Sequence, residues 1–387
     1  MNKLNNINKL HKLHNSNQPY IIYKSNNGFK LYSDFSKKII LKSKNDVENF
    51  LNFKLNKKKA KKTDLFIGFF GYELLNNLID IKLPKQNSLN FYKGIFYKPE
   101  SVISINNLNY SNSYKKLNKN FKININKKTY TKIFDRFKKR IRAGDTYQIK
   151  ICTKYKSKSK VDPLNFFSRL SEFNLAPEAF MIRDKDFSIV SCSPENLINK
   201  KGEQISTKPI AGTVKKIGKM NKSKALKYFK NNIKENKEHN MIVDMERNDL
   251  SKICVPLSVK VSKEKIIEEY RDLFHYVSLI KGKIKKSVNN LQIIKAMMPG
   301  GSVIGCPKIN TLKLLNNQEK ENRNIYTGSF GYIKFNGDMR FNIIIRSILN
   351  FKNISEVAVA SGVVIDSNAN REFNENYIKA KALIDLY

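Results

Sequence analysis

Apolar positions first fall into a sustained helical rhythm at Tyr130, Ile133, Phe134, Phe137 and Ile141, which share one face, with Gly144 where a C-terminal cap belongs. The period then changes. In TYQIKICTKY, Tyr147, Ile149 and Ile151 alternate with Gln148, Lys150 and Cys152, which predicts a strand with Gln148 and Lys150 on the face away from the apolar one. Taken alone, that face is as readily solvated as functional. PLNFFSRLSEF, opening on Pro163, predicts a second helix, and AFMIRD, FSIVSCSPENLIN and EQISTKPIAGT, separated by turn clusters, predict an antiparallel meander. Pro194 interrupts the ladder at the end of its middle piece and lets Glu195 project from the strand end. Leu226, Phe229 and Ile233 mark the face of a helix running on toward Glu238. A β-rich block follows (YTGSFGYIKF, an Asn-Gly-Asp turn, MRFNIIIRSI, EVAVASGVVI), and REFNENYIKAKALIDLY closes the chain as a helix. Upstream, residues 19–100 read as short strands and turns, including PYIIYKS, FKLYSDF and LFIGFFGYELL, and the Lys/Asn-rich run 106–128 reads as a boundary or long surface loop. The expected division is an N-terminal β-rich region, 1–125, and a larger unit, 126–387; the expected class is α+β.

A chain of 387 residues can bury a substantial core. Its net charge of +40 would ordinarily suggest a nucleic-acid or membrane partner. The lysines, however, are spread from end to end among abundant Asn and Ile, a bias of the whole sequence and not a basic face with aromatic platforms. No specific nucleic-acid partner is expected. Neither is a membrane partner, because the longest apolar run, 65–72, is far too short to span a bilayer, and the N-terminus lacks the apolar segment of a secretory signal. Cys152, Cys192, Cys254 and Cys306 form no CxxC pair, which argues against a zinc site or a disulfide framework and fits a reducing cytoplasm. His11 and His14, in a polar segment, read as part of a frayed tail and not as metal ligands.

The stretch 204–250 gathers the candidate chemistry: a Pro-Ile-Ala-Gly-Thr turn, Glu238 beside His239, and a cluster of acids. In MMPGGSVIGCPK, Gly300 and Gly305 have the spacing of a phosphate-binding loop, but Cys306-Pro307 stand where Lys-Ser/Thr is required, so a nucleotide site is rejected. On the closing helix Glu372, Glu375 and Lys379 share one face, and Phe373, Tyr377 and Ala380 another. Taken alone that stripe reads first as a solvated charged face; were it to meet Glu238, on a separate helix, the acids would make the kind of two-element carboxylate set that holds Mg²⁺, a pairing that spacing alone does not give.

SPE, KPIAGT, EHNMIVDMERNDL, FHYVS, PGGSVIGCPK, GSFGYIKFNGDM, IIIRS, GVVIDS and the terminal ExxExxxK, in this order over 130–387, resemble the chorismate-utilising enzymes. That family includes component I of anthranilate synthase and of aminodeoxychorismate synthase, and the isochorismate and salicylate synthases. The resemblance implies a fold of two stacked antiparallel β-sheets flanked by outer helices, with chorismate as substrate. It also implies that Glu238 and Glu375, with Glu372 beside them, bind Mg²⁺, which holds the ring carboxylate of chorismate. Tyr326 and Arg346 match residues that bind the enolpyruvyl carboxylate, a task suited to a planar guanidinium. Lys379, Thr213 and the backbone at Gly362 match further substrate contacts, with Ala360 and Ser361 departing from the family pattern before that glycine. Glu195 matches the general acid that protonates the departing C4 hydroxyl, and His275 a histidine near the reacting ring.

Two positions bear on the reaction. Family members that add water resemble one another in carrying a basic lysine where this chain has Gln148, so the resemblance implies ammonia as nucleophile. Many aminodeoxychorismate synthases carry a lysine at the position of Ala211, which forms a covalent amine adduct, whereas anthranilate synthases have alanine. Against that, PGGS, DMERNDL and GDMRFNI resemble the aminodeoxychorismate type, and the N-terminal region lacks the signatures that bind feedback tryptophan. The expected activity is amination of chorismate at C4, as in aminodeoxychorismate synthase component I, with anthranilate synthase component I as the alternative. Ammonia is expected from a separate glutamine amidotransferase subunit, since the chain shows no glutaminase segment with a nucleophilic cysteine.

Overall fold

The computed structural model describes residues 2–53, 61–81, 89–106, 108, 120–270 and 273–387. Most of the expected loop at 106–128 lies outside them. All strand pairings are antiparallel, and they run as one string. It begins with Lys260–Glu269 and Leu273–Lys283 and passes through Gln204–Lys208, Asn196–Lys201, Met339–Asn342, Ser329–Lys334 and Leu65–Phe70 to Gly94–Ile105. From there it turns through Gly28–Leu41 and Tyr20–Ser25 into Glu178–Arg183, Phe187–Ser193, Ser347–Phe351, Ile354–Val363 and Gln148–Ser157. The long pair at the turn shifts register between Phe35 and Lys37, beside Asp34 at φ 55°, and such a bulge bends and twists a strand.

The two halves of the string stack face to face. Ile67, Phe69 and Phe330 from one half pack against Phe180, Ile182, Phe187 and Ile189 from the other, in a core built from strands and loops. Phe180 and Phe330 stack at 3.8 Å between ring centroids. Helices cover the outer faces. Pro163–Asn174 and the closing helix Ala369–Ile384 join Tyr20, Ile22, Met181 and Val190 in a second core, and Lys44–Leu51, Tyr72–Leu78, Ile233–Ile253 and Asn290–Met297 contribute to a third. The α+β arrangement of two stacked antiparallel sheets with outer helices is therefore present.

Local chemistry sets the helix starts. Asn126, Asn221, Asn232, Asn289 and Asn368 each cap a helix by accepting from a backbone N–H with the side chain. Lys127–Arg142 buries the five apolar residues read from the sequence, and Gly144 follows at φ 79°. Several expectations change. Gly71-Tyr72-Glu73 turns the end of the LFIGFFGYELL piece into a helix, Tyr72–Leu78. The helix expected to run from Leu226 to Glu238 breaks at Asn232, whose cap starts a new one, and Ile233 is 71% exposed instead of buried. Tyr377 on the closing helix is also exposed. The N-terminal segment is a helix, Asn2–Asn15, and not a frayed tail: the buried His14 ring sits 2.8 Å from the Tyr20 hydroxyl and 2.7 Å from Asp162.

The expected meander is interrupted at the point that matters most. Phe187–Ser193 pairs with Glu178–Arg183 and Ser347–Phe351, but Asn196–Lys201 pairs with Gln204–Lys208 and Met339–Asn342 in the other layer. The chain crosses between sheets at Ser193-Pro194-Glu195. The crossing is pinned by Ser193 Oγ donating to Ile343 O (2.5 Å) and by Ile343 N–H donating to Glu195 O (3.1 Å).

Gln148–Ser157 and Ile354–Val363 pair in register from Ile149↔Val363 to Ser157↔Ser355. Across them Lys154 Nζ meets Glu356 Oε2 at 3.0 Å, both side chains being only 3% exposed. Glu356→Gln leaves the ammonium buried without its charge partner, and urea unfolding is expected to show a loss of roughly 3 kcal/mol. Adding Lys154→Met to that variant should recover most of the loss, because no lone buried charge then remains.

Candidate functional site

Gln148 and Lys150 point from the same strand face into one space. The Gln148 amide donates to Glu238 Oε1 at 2.7 Å, and Lys150 Nζ donates to the same oxygen at 3.2 Å. Gly362, opposite Lys150 in the ladder, supplies the room: a Cβ there would stand 2.8 Å from Lys150 Nζ and 2.9 Å from Gln148 Nε2. Gln148, at 1% exposure, is thus a buried site residue and not a solvated strand position. Burial works against the Glu238 charge, but the Lys150 ammonium and the Gln148 amide outweigh it and hold the carboxyl below the usual range.

Glu235 and Glu238 lie one turn apart on Ile233–Ile253, and Glu372 and Glu375 one turn apart on Ala369–Ile384. The two helices bring these acids within electrostatic reach: Glu235 and Glu375 both feel the charge of Glu238. Burial and Glu238 push Glu235 up, and burial and Glu375 push Glu372 up. Glu375 stays low because Lys379, 2.7 Å away, overcomes its burial. Lys379 also donates to Ala360 O at 3.0 Å, beside Gly362, and Lys234 lies 3.7 Å from Glu372. Among the described residues no three acidic, His or Cys side chains already gather as a metal site. The hard oxygen donors from two helices nevertheless suit a divalent cation that draws its remaining ligands from solvent and substrate.

Opposite charges line the other side. Glu195 is buried at the sheet crossing, accepts from Ser302 Oγ at 2.7 Å, and lies near the Ile210 amide and the charges of Lys150 and Arg346. Burial dominates and raises its carboxyl to about 7. Arg346, at φ 52°, is largely enclosed, and no carboxylate among the described residues pairs with its guanidinium. An enclosed guanidinium of this kind is chemically suited to an anionic group. Tyr326 is buried against Cys152, Ile345, Ala358 and Ala360. His275 Nδ1 sits 2.9 Å from Thr213 Oγ1, and burial, with Arg346, lowers the imidazole to about 3, so it is neutral. Ala211 is buried between Ile210, which reaches Glu195, and Gly212, where a Cβ would stand 2.9 Å from Glu235 Oε2.

Of the twelve residues singled out from the sequence, nine fall on strands and helices, and Glu195, Tyr326 and Arg346 lie in the short connections between strands or elements. Lys150, Glu235 and Ser302 were missed. The first two carry simple signals, two residues beyond Gln148 on the same strand face and one helical turn before Glu238, and Ser302 lies in the PGGS motif. His239, adjacent in sequence to Glu238, turns away and bonds Ser278 Oγ at 2.7 Å. A cavity of about 410 Å³ between Lys127–Arg142, Ile151–Cys152 and residues 315–323 contains none of the twelve. The site is defined by convergent side chains, not by that cavity.

The acids of 244–249 also divide by position. Asp244 makes a surface pair with Arg247, whereas Asp249 holds Lys308 at 2.5 Å while Lys308 donates to Ala296 O and Pro299 O, 3.2 Å each, tying down the glycine loop that carries Ser302. Glu246 is buried under Thr207, 3.2 Å away, and burial together with Asp249 raises it to about 8.

Charges of both signs with shifted titration, gathered on neighbouring elements, mark this region as a candidate functional cleft. The chain belongs to the chorismate binding enzymes, whose family model matches residues 109–385. It is 36% identical over 256 residues to aminodeoxychorismate synthase component 1 of Bacillus subtilis, covering 66% of this chain and 54% of that protein. It is 34% identical over 249 residues to an anthranilate synthase component 1 of Haloarcula marismortui, covering 64% and 51%. The matches thus span about half the length of these curated relatives. Among solved structures, anthranilate synthase component I from Streptococcus pneumoniae superposes with a TM-score of 0.76 at 23% identity over 94% of this chain and 90% of that one. The menaquinone-specific isochorismate synthase from Escherichia coli does so with 0.73 at 16% over 95% and 88%. These likenesses establish the shared fold.

Because the native state keeps a proton on Glu246 that the unfolded chain loses above its ordinary carboxyl range, this residue contributes stability that disappears as pH rises toward 8. Glu246→Gln is expected to match the parent at pH 5 and to exceed it at pH 8 by about 2 kcal/mol or more, measured by urea unfolding at the two pH values.

Proposed function

We propose that the chain acts as an aminodeoxychorismate synthase component I, replacing the C4 hydroxyl of chorismate with an amino group on the route to 4-aminobenzoate and folate. Ammonia would come from a separate glutamine amidotransferase subunit. The observation that carries this reading is Glu195, a buried carboxyl with a proton available near neutral pH, within electrostatic reach of Lys150 and of Arg346, which pairs with no carboxylate among the described residues.

Arg346 is suited to take one carboxylate of the substrate through its planar fork, and Tyr326, packed against the neighbouring Ile345, is the second candidate for that contact. Glu238 and Glu375, with Glu372 adjacent, are suited to hold Mg²⁺. Bound there, the ion would neutralise the second carboxylate and strengthen the pull on ring electrons as the C4 bond breaks. Glu195 gives its proton to the C4 oxygen, which leaves as water with the bonding electrons. The ammonia lone pair forms the C–N bond, and the surplus N–H proton passes to solvent. Gln148 supports ammonia over water as nucleophile, since an amide bonded to Glu238 cannot serve as a base. Neutral His275, fixed by Thr213, borders the ring without carrying charge.

The second reading, anthranilate synthase component I, is favoured by Ala211: alanine cannot form the covalent amine adduct available to lysine. Incubation with chorismate, MgCl₂ and ammonium chloride, followed by product mass and fluorescence, separates the two. An amino product that retains its pyruvyl group supports the first reading; fluorescent anthranilate formed without an added lyase replaces it with the second.

A general acid must be protonated, so kcat/KM is expected to fall as pH rises through about 7. Ser302→Ala removes a hydrogen bond that favours the Glu195 carboxylate, and should move this limb to higher pH. Glu195→Gln should lower kcat by about 10²- to 10⁴-fold. Turnover in Glu238→Ala and Glu375→Ala should no longer respond to added MgCl₂, and an unchanged response would refute the cation assignment.

A further inference from the structure

Lys150 has no part in the steps above, yet it is the only ion-pair partner of Glu238 among the described residues. Its position is built. The strand register sets it opposite Gly362, where the absence of a side chain leaves room for the ammonium. Gln148, two residues earlier, holds the same Glu238 oxygen from the adjacent position. The Lys150 charge also reaches Glu375 and Glu195.

We propose that Lys150 is a resident counter-ion: it compensates Glu238 in the metal-free cleft and, by competing for the same carboxylate, sets how tightly the divalent cation is held. This rests on the reading of Glu238 as a cation ligand. A carboxylate enclosed near other carboxylates is costly without a compensating positive charge. The ammonium supplies one such charge through a flexible stem. A divalent ion arriving at Glu238 meets that like charge, so binding must either displace Lys150 or bear its repulsion. In either case the lysine lowers cation affinity and raises the stability of the empty cleft.

The two effects have opposite signs, which a merely structural lysine would not produce. Calorimetric titration with MgCl₂ alone, and melting with and without MgCl₂, should be run on the full chain and on Lys150→Met, Lys150→Gln and Lys150→Arg, with Glu238→Gln as the control without the carboxylate. Lys150→Met is expected to melt below the parent in chelator, to bind Mg²⁺ about tenfold more tightly or better, and to show the larger Mg²⁺-induced rise in melting temperature. Lys150→Gln, neutral but still able to donate to Glu238, should shift affinity in the same direction even if the methionine variant fails to fold. Lys150→Arg should return close to the parent. Unchanged or weaker Mg²⁺ binding in both neutral variants overturns the proposal while leaving the cation site standing. Absence of a Mg²⁺ response from every protein, the parent included, overturns the cation reading itself and this inference with it.

Discussion

Like charges held close together are the constraint around which this fold is arranged. Four glutamates on two helices would repel one another in a partly closed cleft, and they coexist because Lys150, Lys379 and Lys234 stand against three of them and because burial pushes two toward their neutral forms. The compensation requires that the strand carrying Gln148 and Lys150 lie in fixed register with the strand carrying Gly362, and that the closing helix dock beside it. The Lys154–Glu356 pair and the long antiparallel ladder provide that register from the far end of the same two strands.

The opposite wall uses the reverse device. Among the described residues no carboxylate pairs with Arg346, and burial raises the nearby Glu195 carboxyl to about 7. A tight salt bridge between Glu195 and Arg346 would instead hold the carboxyl ionised and occupy the guanidinium. Glu195 is held at the sheet crossing by Ser302 and near the Ile210 amide, within electrostatic reach of Arg346.

Much of this was legible in the sequence. The helix at 127–142, the alternation of Gln148 and Lys150, and the i, i+3, i+7 spacing of the closing helix follow from period alone. The order of short motifs carried the site residues through the family resemblance, whether the motif lies in a helix, as around Glu238 and Glu375, or at a strand end, as at Glu195. What stayed hidden was decided by distant contacts. No local signal says that Phe187–Ser193 and Asn196–Lys201 belong to different layers, since a proline between two strands is equally compatible with a bulge or a corner. The break at Asn232 was hidden because the apolar spacing continues through it, while the cap that ends the rhythm depends on a single side chain bonding the Glu235 amide. The burial of Gln148 likewise required a partner some ninety residues away in the chain.

The asparagine caps show how a skewed composition can be absorbed. Lysines and arginines number 73 and acids only 33, and asparagine is abundant throughout. Five helices start on asparagine, a residue that serves as well as aspartate or serine at that position, so drift toward asparagine at helix starts carries little structural penalty. The cleft has no such latitude, since replacing one of its acids with lysine would reverse a charge inside an already cationic molecule. A handful of glutamates is therefore where the charge of this chain is least free to change, while the surface and the helix starts accommodate its lysine- and asparagine-rich composition.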